Sequence, residues 1–165
     1  MTQTQDIVLT RHLDAPVDAV WRAWTDPALF RKWWGPLGFH SNGATIDLRE
    51  GGKFVWNMHG MIGSHEVDMH TAGTYTRVVP GERFEFVQGL SDADGNILDP
   101  VTLGMPADFP TAIRSAVILT PSGAGTDLTA IEYDWAVGEQ RTMSEIGLEQ
   151  CIDKLEAFLP GLAEG

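Results

Sequence analysis

The sequence predicts an α+β domain in which one antiparallel sheet packs against a long C-terminal helix. Three observations point there. Apolar residues alternate with polar ones at period two through residues 43–133, in runs separated by Gly- and Pro-containing turns. Two short helical segments, unusually rich in tryptophan, follow a single opening strand. The chain closes on QRTMSEIGLEQCIDKLEAFL, whose apolar residues recur at helical spacing.

The opening strand is Asp6 to Leu13, β-rich and loosely alternating. Asp14 is placed to cap the helix that Ala15-Pro16 opens, and Val17, Val20, Trp21 and Trp24 form its buried face at i, i+3, i+4, i+7. Thr25-Asp26-Pro27 then starts a second helix, because proline suits the first helical position. That helix carries Leu29, Phe30, Trp33 and Trp34 and stops at Gly35-Pro36. Strands are expected at Ala44 to Arg49, Lys53 to Met58, Val67 to Val79 with a bulge at Gly73, Arg83 to Val87, Thr111 to Thr120 and Thr126 to Tyr133. Ser91 to Pro110 is a turn-rich connection. On the closing helix, Met143, Ile146, Cys151, Leu155 and Phe158 make one stripe, widened by Leu148, Ile152 and Leu159. Gly147 interrupts it, at a cost of roughly 1 kcal/mol relative to alanine. Two causes suit such a glycine: close contact with a neighbouring backbone, or room left for a ligand.

At 165 residues the chain is read as one domain, residues 1–165 with a core at about 6–159. Its net charge of −12 argues against nucleic-acid binding, which uses lysine and arginine to neutralise phosphates, and against anionic membrane surfaces. Cys151, the lone cysteine, cannot form an internal disulfide, which fits a reducing compartment. No signal peptide is legible in MTQTQDIVLTRHLDAP and no run approaches the ~20 apolar residues a bilayer requires. A cytoplasmic protein without membrane association is expected.

Catalytic and metal signatures are not met. His65-Glu66-Val67-Asp68-Met69-His70 spaces its histidines one residue too far for a zinc-protease helix, and on a strand they would face opposite ways. Asp92-Ala93-Asp94-Gly95-Asn96 resembles the start of a calcium loop, but the glycine comes early and the closing glutamate is missing; it reads as a plain turn. Cys151 sits on an apolar stripe and reads as an inert buried thiol. No catalytic residue, metal or cofactor is assigned.

The stretches DAPVDAVWRAWTDPALFRKWWGP, DLREGGKFVW, GTYTRVVPGERFEF, GTDLT and GLEQCIDKLEAFL resemble, as a set, a family of small domains. It is the family related to the C-terminal domain of the heat-shock-protein-90 ATPase activator, within the SRPBCC or START-like superfamily. The resemblance runs from about Val8 to Leu159. It implies a helix-grip fold: a curved antiparallel sheet wrapped around the long C-terminal helix, braced by the two short helices, with an apolar cavity between sheet and helix. Members of the superfamily hold lipids, hormones, polyketides and other hydrophobic or aromatic molecules there, and a few are enzymes. Two departures matter. The sequence shows no counterpart of the N-terminal domain with which a co-chaperone extends its grip, and Gln150-Cys151 stand where relatives often place a bulky aromatic, which implies a different or roomier cavity.

The expected function is therefore binding of a small hydrophobic or aromatic ligand. The candidate cavity residues are Trp34, Phe54, Trp56, Met58, His70, Tyr75, Phe84, Phe86, Met143, Gly147 and Gln150. Gln150, His70 and Tyr75 would orient the ligand by hydrogen bonds, and of the tryptophans near the short helices at most one reaches the rim. A stand-alone chaperone-activator role, with a chaperone as partner, is the second expectation. A cyclase- or hydrolase-like enzyme is the third; it requires groups such as His70, Asp68 or Glu132 to converge in the pocket with shifted pKa values. A homodimer is expected on base rates alone.

Overall fold

A computed structural model describes residues 3–164, and side chains for residues 3–162. The chain runs β1 (Thr4–Leu13), α1 (Val17–Thr25), α2 (Pro27–Phe30), β2 (Phe39–His40), β3 (Ala44–Ile46), β4 (Lys53–Ile62), β5 (His65–Val79), β6 (Arg83–Ser91), a 3₁₀ turn (Pro100–Leu103), β7 (Ile113–Ser122), β8 (Gly125–Ala136) and α3 (Glu139–Glu164). All strand pairs are antiparallel. The sheet order is β1-β8-β7-β6-β5-β4-β2, with β3 also on β4. The sheet curls so that one face holds the core together with α1, α2 and α3. This is the helix-grip arrangement.

The short helices are set by local chemistry. Asp26 caps α2: its side chain accepts from the Ala28 N–H at 2.9 Å, and Pro27 occupies the first turn. Only Pro27–Phe30 is helical, and the chain reaches the tryptophan pair through turns rather than the longer helix expected. The Trp33 indole donates to the Ala23 carbonyl at 2.9 Å, tying that turn to α1. Trp24 and Trp33 meet edge to face at 4.8 Å, while Trp34 stacks on Phe30 at 5.0 Å. Asp14 does not cap α1. The helix begins three residues later, its flanking residue Pro16 makes no side-chain cap bond, and the Asp14 carboxylate lies 3.4 Å from His12 Nε2.

Strand parity follows the registers. Phe54, Trp56 and Met58 pair with Gly73, Thr71 and Met69, and these residues share the concave face. Their neighbours Val55, Asn57, Asp68 and His70 therefore face outward. Two expectations are corrected here. The strand near Ala44 ends at Ile46 rather than Arg49. The irregularity in β5 lies between Tyr75 and Arg77, not at Gly73, which pairs regularly with both neighbouring strands. A Cβ at Gly73 would sit 1.9 Å from the Val87 carbonyl oxygen and 2.8 Å from the Phe54 ring. Glycine is needed there because the curled sheet and an aromatic ring close over the position.

The helix α3 runs past the expected end, through Pro160. Cys151, Ile152, Leu155 and Leu159 are buried against the core. Met143 and Ile146, expected in the same stripe, are 57% and 49% exposed. The face turned to the sheet instead passes through Ser144, Gly147, Leu148 and Cys151, again at i, i+3, i+4, i+7. Among the described residues, no helix is long and apolar enough to cross a membrane.

Candidate functional site

Between α3 and the concave face lies a cavity of about 190 Å³. Trp34 and Pro36 close one end, and Met58, Thr71, Gln88 and Leu90 form the sheet wall. Phe109, Ile113, Glu132 and Trp135 form the other wall, and the Ser144–Cys151 face of α3 covers it. Gly147 is central to this cover. A Cβ built there meets only the Pro36 Cβ, at 3.9 Å. The glycine therefore does not answer to a crowded backbone; it opens the helix surface toward the cavity.

One ionisable carboxyl sits in this apolar space. Glu132 lines the cavity and keeps only intermediate exposure. Its Oε1 accepts from the Trp135 indole at 3.0 Å, and its Oε2 accepts from Gln88 Nε2 at 3.4 Å. Gln88 Nε2 also donates to Ser115 Oγ at 3.0 Å. Burial pushes the Glu132 carboxyl up to about 7, against the opposing pull of the two hydrogen bonds from Trp135 and Gln88. Burial likewise pushes the Cys151 thiol up to about 12, which leaves it protonated and unreactive.

Glu132 and Trp135 are three residues apart on one strand, so period two would put them on opposite faces. A bulge reconciles them. Gln5 pairs with Trp135 and Ile7 with Glu132, so β8 has one residue more than β1 over this interval. Asp134 supplies it at φ 60°, with its N–H donating to Asp6 Oδ1 at 2.9 Å. Tyr133 and Asp134 consequently both face outward, where Arg114 lies over the Tyr133 ring at 4.7 Å and pairs with Asp134 at 3.0 Å.

A smaller void of about 20 Å³, lined by Trp24, Trp34, Trp56, Phe86, Gln88, Ser115 and Glu132, adjoins the cavity. The buried indole nitrogens of Trp24 and Trp56 have no protein partner.

The candidate residues divide accordingly. Trp34, Met58 and Gly147 line the cavity. Trp56 and Phe86 line the adjoining void. Phe54, Tyr75 and Phe84 are buried in the aromatic core, with Phe54 and Tyr75 centroids 5.1 Å apart, and line neither space. Gln150 acts beside the cavity: its Oε1 accepts from the Leu37 N–H at 3.1 Å, which latches α3 to the loop after Pro36. Met143 is exposed, for the helical-face reason given above. His70 points to the opposite side of the sheet, because the bulge assumed at Gly73 is absent.

On that outer side Asn57 Nδ2 donates to Asp68 Oδ1 at 2.6 Å and lies 3.2 Å from His70 Nε2. His59 bridges Asp68 at 3.2 Å and Glu66 at 2.6 Å, and these bonds raise its pKa. A wider groove of about 420 Å³ runs here, but it is open and its polar groups are bonded to one another. His70, Asp68 and Glu132 therefore do not converge: Glu132 alone is in the cavity. In the Asp92 turn, the carboxylate accepts from the N–H groups of Asp94 and Asn96 and from the Asn96 side chain, so it serves the turn itself. Among the described residues, no cluster of histidine, cysteine and carboxylate side chains could hold a metal ion.

The fold and cavity define a helix-grip protein of the SRPBCC, or START-like, type. Residues 14–160 match the family model described as "Activator of Hsp90 ATPase homolog 1-like protein", and the chain belongs to that family. A crystal structure of a Chromobacterium violaceum protein is similar at 26% identity and a TM-score of 0.74, covering 93% of this chain and 96% of that one. An AHSA1-like protein from Aeromonas hydrophila is similar at 25% identity and a TM-score of 0.65, covering 96% and 95%. A Nitrosomonas europaea protein at 24% identity, with a TM-score of 0.75 and 97% of both chains covered, shares the fold. Comparison with curated proteins finds no match.

Proposed function

We propose that the protein binds a small hydrophobic or aromatic molecule of about single-ring size in the cavity between sheet and α3. The observation that carries this is the cavity itself, about 190 Å³ and walled largely by Trp34, Met58, Phe109, Leu148 and Trp135. Drug-sized ligands occupy about 300 Å³ or more, whereas an apolar cavity of about 150 Å³ already takes up benzene. A single substituted ring suits the space, and a long lipid chain does not. Trp34 and Trp135 provide the readout, since both would touch the ligand.

A library of single-ring aromatics and short acyl compounds, followed by tryptophan fluorescence and native mass spectrometry, tests the reading. Saturable one-to-one binding is expected for several single-ring compounds. Gly147→Leu is the matched control. Its side chain would enter the cavity from the helix and abolish that binding. Relief of the helical glycine and added apolar burial would stabilise the fold by about 1–2 kcal/mol, measurable by urea denaturation. Absence of any binder in the wild-type protein, or undiminished binding in Gly147→Leu, counts against the proposal.

The family description prompts a second reading, docking to a chaperone and stimulating its ATPase. A stimulation assay with purified chaperone decides it: a rate increase that survives Gly147→Leu would separate this role from the cavity.

A further inference from the structure

We infer that the cavity selects a protonated amine, a small ring bearing one ammonium group, with Glu132 as its counter-ion. This deepens the ligand-binding reading proposed above and rests on it.

Among the residues lining the cavity, Glu132 and Cys151 are the titratable ones, and the thiol stays neutral. Among the described residues, no lysine, arginine or histidine contributes to the environment of Glu132; its burial and the two neighbouring N–H donors set it. A carboxyl placed this way must either hold its proton or receive a cation from elsewhere. The donors favour the second state. Trp135 gives an N–H to one oxygen and Gln88 gives one to the other. Both bonds suit a carboxylate, whose oxygens accept only, and a proton on Oε2 would compete with the Gln88 donor. Each oxygen keeps further lone-pair capacity for an ammonium N–H, a charge-assisted bond of roughly twice the ordinary strength.

The walls add to this. Trp34, Phe109 and Trp135 present aromatic surface around the same space, and aromatic faces attract a desolvated cation. At long range the protein's net charge of −12 draws cations in and turns anions away. An acidic or purely hydrocarbon ligand would leave Glu132 without compensation, which is the basis of discrimination: the unpaired polar group is what makes the wrong ligand costly.

Benzylamine and benzyl alcohol, equal in heavy-atom count, are the probes, titrated by calorimetry against the full chain between about pH 5 and about pH 8. Below the Glu132 midpoint, near 7, the carboxylic acid must release its proton to solvent before the ammonium can pair with it. Benzylamine should bind about tenfold or more tighter than benzyl alcohol at about pH 8, and weaken by about tenfold per pH unit below 7. Benzyl alcohol should show no such dependence. Glu132→Gln should bring the two probes to similar affinity and flatten the pH profile. The wild-type pH profile stands independently should that variant fold poorly. Equal affinities at about pH 8, or benzylamine binding that strengthens as pH falls, would overturn the inference. Binding of benzyl alcohol alone would overturn it while leaving the cavity reading intact, and binding of neither probe would remove both.

Discussion

Glu132→Gln should stabilise the ligand-free protein by about 2 kcal/mol at about pH 8 and destabilise it by about 1 kcal/mol below pH 4.5. The wild-type carboxyl is raised from its ordinary 4.5 to about 7. Between those values the folded state holds a proton that the unfolded state has released. Wild-type stability from this group is therefore complete below about 4.5 and falls as pH rises through 7. The full shift corresponds to about 3 kcal/mol at 1.36 kcal/mol per unit. Glutamine returns less than that, because its amide nitrogen would face the Gln88 donor in place of a carboxylate oxygen. Denaturation curves for the two proteins across this range give the difference directly. Parallel curves would show that Glu132 is not desolvated.

Gly73→Ala should cost about 3 kcal/mol or more, or prevent folding. An alanine Cβ would lie 1.9 Å from a backbone carbonyl oxygen on β6 and 2.8 Å from the Phe54 ring. The backbone oxygen cannot swing aside as a side chain could, so strands β5 and β6 would have to part at this position. Overpacking in a well-packed interior costs typically 1–3 kcal/mol, and displaced ladder hydrogen bonds add to that. The contrast with Gly147 is the informative part. Both glycines interrupt regular elements, yet one is hemmed in by backbone and the other opens on empty space. A Gly73→Ala variant as stable as wild type would contradict the registers that define the concave face.

These two positions also show what the residue pattern can and cannot disclose. The alternating runs, the turn glycines and the closing helix were enough for the α+β plan, and the tryptophan-rich segments were enough for the family. The strand faces were readable wherever period two held. They were misjudged for His70 because an isolated glycine in a strand suggests a bulge, whereas Gly73 marks a close approach instead. The bulge that matters for the site lies at Asp134, a non-glycine residue at positive φ, and nothing in the local sequence marks it. Strict alternation therefore hides that Glu132 and Trp135 share a face, and Trp135 was not anticipated at the cavity. On α3 the pattern favours large apolar residues, so Met143 and Ile146 seemed to define the buried stripe. The cavity face uses Ser144 and Gly147, which are inconspicuous because a cavity needs small residues there. Phe109 and Pro36 come from connections, where periodicity has no meaning.

The most direct test of the account is the titration of the Glu132 carboxyl carbon, followed by NMR in the free protein and in protein saturated with benzylamine. The expected midpoint is near 7 in the free protein, falling when the ammonium occupies the cavity. A midpoint at the ordinary 4.5, unmoved by the ligand, would contradict it.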